Sequence, residues 1–176
     1  MAHQNSLCVY YSRYGNNYLG GSIVNLPVGN TEVIARKIKG LTGSDLFQIE
    51  TVKPYPKDYT ETTRVSQDEL SQNARPELTE TIADIDSYEV IYLGYPNWWG
   101  TMPMAVCTFL DSYDFSGITI VPYCTHEGSG LGSSERDIKK LCPTAKVLSG
   151  LAIKGGTVGR ADNDVATWLK RLGLIS

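Results

Sequence analysis

An α/β domain, a doubly wound parallel sheet with helices on both faces, is the fold class this sequence predicts. Three observations predict it. Short apolar runs alternate five times with segments of helical periodicity. The run Val90-Ile91-Tyr92-Leu93-Gly94 is almost wholly apolar, as a strand covered on both faces must be. Polar stretches gather where the apolar runs end, and in an open sheet of this kind those ends converge on one crevice.

The elements follow in order. Leu7 to Tyr11 reads as a buried strand ending in Ser12-Arg13. After Gly29-Asn30-Thr31, the residues Ile34, Ile38 and Leu41 recur at helical spacing, and Gly43 is placed to stop that helix. Leu46 to Ile49 is the second strand. Residues from about Asp58 to Ala74 form a polar, solvated crossover helix with only Tyr59, Val65 and Leu70 to bury. Val90 to Gly94 is the third strand, and Pro103 suits the first turn of a helix through Val106, Cys107 and Leu110. Ile118 to Cys124 is the fourth strand; Pro122 predicts that its ladder is already ending there. Ser134 and Asp137 begin a short basic helix closed by Pro143, and Val147 to Ile153 is the fifth strand. Val165, Trp168, Leu169 and Leu172 mark the closing helix.

One segment breaks the alternation. Tyr14 to Pro27 separates Ser12-Arg13 from Gly29-Asn30-Thr31, where a strand-to-helix turn normally takes a few residues. Gly20-Gly21 supplies a turn and Ser22-Ile23-Val24 a small extended arm. Two readings stand side by side: a tolerated surface insertion, or a lid or interface element beside the crevice.

The chain of 176 residues makes a single domain over its whole length, with 41% hydrophobic and 20% charged residues. The net charge of -3 supplies no clustered positive charge for nucleic acid. No run reaches the roughly 20 apolar residues of a membrane helix. Met1-Ala2-His3-Gln4-Asn5 passes straight into the first strand, so a cytoplasmic protein is expected. The cysteines Cys8, Cys107, Cys124 and Cys142 form no C-x-x-C pair, which argues against zinc. Three lie in apolar runs as small buried hydrophobes, and Cys142 is the one expected to be exposed.

Three loops carry the chemistry. Ser12, Arg13, Gly29, Asn30 and Thr31 suit a phosphate, which needs several donors at once at a helix N-terminus, although Asn and Thr also serve as ordinary helix caps. Pro96-Asn97-Trp98-Trp99-Gly100 places two tryptophans in one short loop. Either one packs inward and the other is left as a flat platform, or both line a cleft. Thr125-His126-Glu127-Gly128-Ser129-Gly130 adds small donors, a histidine and a carboxylate; His126 is either a surface residue or an acid–base group. No P-loop lysine and no G-x-S-x-G elbow is present. The three loops together describe a pocket for a phosphorylated, planar, aromatic molecule.

These loops resemble those of the flavodoxin family, in a branch with P-x-W-W-G and T-H-x-G-S-G loops, and the similarity runs from Leu7 to about Trp168. The resemblance implies a flavodoxin-like five-stranded sheet of order 2-1-3-4-5 with FMN held non-covalently. It matches Ser12, Arg13, Gly29, Asn30 and Thr31 to the phosphate loop. Pro96, Asn97, Trp98, Trp99 and Gly100 match the first isoalloxazine loop, and Thr125, His126, Glu127, Gly128, Ser129 and Gly130 the second. Two departures are visible: the insertion splits the phosphate loop, and the third loop carries His126-Glu127 where long-established carriers place a stacking tyrosine. The expected function is electron transfer with a redox partner protein or a small-molecule acceptor. An NAD(P)H-dependent quinone or flavin reductase is the alternative, and a non-redox partner-binding module a second one. A homodimer is also open, since Tyr14 to Pro27 and the tryptophan loop offer apolar surface.

Overall fold

The computed structural model describes residues 4–176; Met1 to His3, part of the expected leaderless start, lie outside them. Strand β1 (Ser6–Tyr10) is followed by a hairpin of β2 (Gly15–Leu19) and β3 (Ser22–Leu26). Helix α1 (Asn30–Thr42), strand β4 (Asp45–Gln48) and helix α2 (Tyr59–Ser71) come next. The chain continues through β5 (Val90–Pro96), α3 (Met104–Asp111), β6 (Thr119–His126) and α4 (Ser134–Leu141). It closes with β7 (Lys146–Val147), β8 (Leu151–Lys154) and α5 (Asp162–Arg171).

The main sheet is parallel throughout and runs β4-β1-β5-β6-β7, with β8 also paired to β6. Among the described residues it therefore has six strands, not the expected five, and its order differs from 2-1-3-4-5 because the hairpin takes two places in the count. The added sheet strand comes from a break in the expected Val147 to Ile153 run. Pro122 has no N–H to donate, and a methyl carbon on Gly150 would lie 3.0 Å from its carbonyl oxygen and 3.2 Å from its Cγ. β7 pairs with Thr119 and Ile120, while β8 resumes at Tyr123, on either side of that proline. The expectation that Pro122 ends the fourth strand is thus corrected: β6 runs on to His126, and the proline interrupts its neighbour instead.

Side chains alternate between two cores along each strand. Leu7 and Val9 of β1, Ile91, Leu93 and Tyr95 of β5, and Ile120 and Cys124 of β6 join the core under α3 and α4. Cys8 and Tyr10, Val90 and Tyr92, and Val121 and Tyr123 face α1 and α5, where Ile34, Ile38, Val165, Trp168 and Leu169 wait. Strands buried on both faces read as continuous apolar runs, which is why they were visible in the sequence. All four cysteines are buried, so the expected exposure of Cys142 is corrected; it is 4% exposed beneath the end of α4. Helix α2 also differs in its buried face. Thr62 and Ser66 turn inward, while Val65 is exposed.

Gly94 lets the sheet's middle close. Tyr123 is its register partner on β6, and a side chain on Gly94 would fall inside the Tyr123 ring. The ring lies across the glycine, and the Tyr123 hydroxyl lies 3.1 Å from Cys8 Sγ on β1. Burial raises the Cys8 thiol to about 12. Replacing Gly94 with alanine should destabilise the fold by ~2 kcal/mol or more, because the ring has no room to retreat. Urea unfolding checks this through a lowered midpoint at unchanged slope.

Candidate functional site

The carboxyl ends of β1, β5 and β6 open into one cleft of about 370 Å³. Its floor and one end come from Asn30 and Thr31 in the first turn of α1, from Thr125, and from His126, Glu127 and Ser129. Pro96 to Gly100 form one wall. Asn17 and Tyr18 of the hairpin, with Tyr59, Thr62, Thr63 and Ser66 of α2, complete the lining.

The tryptophan turn is built by strain and bracing. Trp98 N–H donates to Thr101 O at 2.8 Å and Thr101 N–H donates back at 3.3 Å, leaving Trp99 and Gly100 as the turn residues. Both have positive φ, 57° and 85°, a region that costs a bulky residue such as tryptophan. The two indoles part company. Trp98 is half-buried, edge-on to Tyr11 and Tyr55 with centroids at 5.1 and 5.2 Å. Trp99 is 51% exposed, and its Nε1–H donates to Thr63 O and Ser66 Oγ, both at 3.1 Å. Asn97 braces the turn from beneath: its Oδ1 accepts from Gly100 N–H and its Nδ2 donates to Gly130 O. Gly100 O accepts from Ser133 N–H at 2.8 Å. Among the described residues the Trp99 N–H and C=O have no hydrogen-bond partner.

The phosphate-loop residues divide. A Cβ on Gly29 would collide with Ser12 Oγ and lie 2.6 Å from Arg13 O, so Gly29 is the seat that joins the two halves of the split loop. Ser12 Oγ accepts from Glu32 N–H at 3.0 Å and caps α1 from outside the helix. Gly29 and Ser12 lie behind the cleft lining, and Ser12 borders a separate hollow of about 640 Å³ at the base of the hairpin. Arg13 lines the cleft, but its Nε and Nη2 donate to the carbonyls of Asn16, Pro56 and Lys57. Its first task is to tie the hairpin to the start of α2. The backbone N–H groups of Asn30 and Thr31 have no partner among the described residues, and the Thr31 and Thr125 hydroxyls meet at 2.8 Å.

In the third loop, Gly128 and Gly130 take positive φ and lie outside the cleft lining, while His126, Glu127 and Ser129 reach it. Gly132, outside the expected site, packs against Gly100; a Cβ there would collide with Gly100 O. His126 Nδ1 accepts from Gly128 N–H at 2.9 Å, which fixes the neutral form with its proton on Nε2. Partial burial lowers its pKa below the ordinary 6.5; Glu127 opposes that and Lys154 adds to it.

The hairpin is a wall of the cleft. Asn16 Oδ1 accepts from Tyr59 N–H at 2.9 Å, and Tyr18 stacks on Tyr59 with centroids 6.2 Å apart at 25°. Sequence reading missed Asn17, Tyr18 and the inner face of α2. Thr62 and Ser66, one helical turn apart in a helix otherwise rich in charge, were the available signal. An NMR titration should place the His126 midpoint below 6.5. The Gly128 amide should shift with the same midpoint, since protonation at Nδ1 removes its acceptor. The proton binds the unfolded chain more tightly, so stability should fall as pH drops below about 6.5 and level off beneath the folded midpoint.

The sequence pattern of the Flavodoxin family matches residues 25–172. No curated protein matches the chain in sequence. Among solved structures, a candidate flavoprotein from Bacteroides eggerthii is 25% identical, with TM-score 0.79, over 97% of this chain and 98% of that one. A flavoprotein from Lactobacillus acidophilus, crystallised in complex with FMN, is 21% identical with TM-score 0.70, over 94% and 98%. An NADH:FMN oxidoreductase in its apo form is 14% identical with TM-score 0.55, over 96% and 86%. With the matched span covering most of the chain and the cleft lying at the strand ends where this fold holds its ligand, the chain belongs to the flavodoxin family.

Proposed function

We propose that this protein binds FMN in the cleft and transfers electrons, with a redox partner protein or a small-molecule acceptor receiving them. The observation that carries this reading is the convergence of two kinds of group on one cleft. An exposed indole, Trp99, lines it together with the partnerless backbone N–H groups of Asn30 and Thr31 at the N-terminus of α1. The first suits a flat ring and the second a phosphate.

The residues present fit FMN. Asn30 and Thr31 would hold the phosphate, with the helix dipole favouring the anion. Trp99 would lie against the ring, while Trp98, gripped by Tyr11 and Tyr55, sets the position of the turn. The open Trp99 N–H and C=O are the peptide groups in this turn left to bond the ring edge. When bound, the flavin supplies the redox chemistry, and the chain's part is to bind it, orient it and exclude water. The neutral His126 is poorly placed to act as an acid at neutral pH, because its Nδ1 is already an acceptor from Gly128.

An NAD(P)H-dependent quinone or flavin reductase is the second reading, and one observation favours it. The hairpin and α2 bring Tyr18 and Tyr59, stacked on each other, into the cleft lining as a second aromatic surface beside the tryptophans. Purified protein should be yellow or take up added FMN with quenching of flavin fluorescence, and a preparation that does neither rules out the cofactor. Trp99→Ala should weaken FMN roughly tenfold, the worth of ~1–2 kcal/mol of stacking, with little change in unfolding midpoint. Trp98→Ala should instead lower the midpoint, through a stability loss of ~2 kcal/mol or more from the cavity it leaves. Steady NAD(P)H consumption with a quinone and no added reductase would select the enzyme over the carrier.

A further inference from the structure

The hairpin beside the cleft ends on an open backbone edge. Gly20 and Gly21 both take positive φ, 62° and 95°, as a two-residue type I′ turn demands. Such a turn makes Leu19 and Ser22 a hydrogen-bonded pair. The register then directs the backbone groups of Asn17 and Val24, and of Gly15 and Leu26, toward each other. The N–H and C=O of Ile23 and Asn25 therefore point away from β2, and among the described residues they have no partner. The other edge is occupied: on β2, Asn16 O accepts from Arg13 Nε at 2.9 Å. Proteins usually guard a free edge with charge or proline. Here no charged residue occurs between Arg13 and Glu32, and Pro27 comes only after the strand has ended. Tyr14, Tyr18 and Ile23 are exposed on the same excursion, Ile23 as the cross-strand partner of Tyr18.

We propose that β3 pairs with β3 of a second copy of this chain, joining two hairpins into one antiparallel sheet. The edge is its own complement. A twofold axis at Val24 sets Ile23 of one copy opposite Asn25 of the other, and Asn25 opposite Ile23. Each such pair exchanges both of its backbone hydrogen bonds. A charged strand would set like charges against each other in this arrangement, and a neutral one does not. That neutrality, with the twofold match of the open groups, selects a second copy as the occupant. The contact is isologous and closes at two chains, because it consumes β3 in both while Arg13 holds the β2 edge at Asn16. A short strand covers little area, so the association is weak and depends on concentration. Tyr18 lies in the cleft lining beside Ile23, so the joint runs one strand away from the cleft.

Sedimentation velocity of the full chain over about a hundredfold range of concentration should show the mass rising toward that of a dimer. Asn25→Pro removes an outward N–H without touching the bonds to β2, and Ile23→Lys puts a charge on the edge. Each should weaken dimerisation by about tenfold or more, with circular dichroism confirming the fold. Disulfide trapping reads the register, and the four native cysteines, all buried, do not compete. Val24→Cys places two thiols across the axis with Cα atoms about 4.5 Å apart, within disulfide range, and should cross-link under mild oxidation. Ser22→Cys, whose twofold mate would lie about 13 Å along the strands, should not. A chain that stays monomeric over the whole range overturns the proposal and leaves the edge to a strand of a different protein. A dimer that both edge variants leave intact overturns it too, as does Ser22→Cys cross-linking as fast as Val24→Cys.

Discussion

The cleft depends on one buried hydrogen bond. Thr31 lies in the first turn of α1 and Thr125 nearly ends β6, 94 residues away in sequence, and their hydroxyls meet at 2.8 Å with both residues almost fully enclosed. One hydroxyl donates to the other, and the helix start is held against the strand end. Thr125 does more than this. Its carbonyl accepts from Asn97 N–H at 2.8 Å, so one residue pins the helix N-terminus and the tryptophan turn to a common frame. The open N–H groups of α1, the carboxylate of Glu127 and the face of Trp99 are set relative to each other through this residue. Buried polar contacts of this kind are costly if half-made, which favours a single arrangement.

That frame supports a strained turn. A tryptophan at φ 57° would relax if it were free. It is held by its indole N–H on α2, by Asn97 below, and by the Ser133 amide on Gly100. Helix α2 thus does two jobs with few apolar residues. Thr62, Thr63 and Ser66 line the cleft, and the Thr63 carbonyl and the Ser66 hydroxyl accept from the indole N–H. The aromatic clamp of Tyr11, Tyr55 and Trp98 braces the turn from its inner side. Tyr55 is in turn oriented by its hydroxyl on Glu69 at 2.7 Å, whose carboxyl is raised by burial.

Much of the fold was legible because buried parallel strands leave apolar runs and their helices leave a 3.6-residue period. Val90 to Gly94 and Val165 to Leu169 are cases where local pattern and tertiary role agree. The split of the last strand was not legible, because it follows from Gly150 passing Pro122, a contact between residues 28 apart in sequence. The buried state of Cys142 likewise comes from the core it meets. At the site, the two tryptophans were readable as a pair, but which one faces inward is decided by Tyr11 and Tyr55. Ser12 and Arg13 match the loop motif in type, yet their hydrogen bonds make one a helix cap and the other a strut. Only packing could reveal that, as it alone could bring Asn17 and Tyr18 to the cleft.

The seat of Gly29 on Ser12 and Arg13 has a consequence for how such chains diversify. Because both ends of the β2–β3 excursion are stapled at one point, the excursion behaves as a graft on a closed stem. Its length and tip sequence are free to drift without displacing the strand before it or the helix after it. A lineage that keeps this staple can exchange the hairpin for another cover and so change what approaches the crevice, while the scaffold underneath is inherited intact.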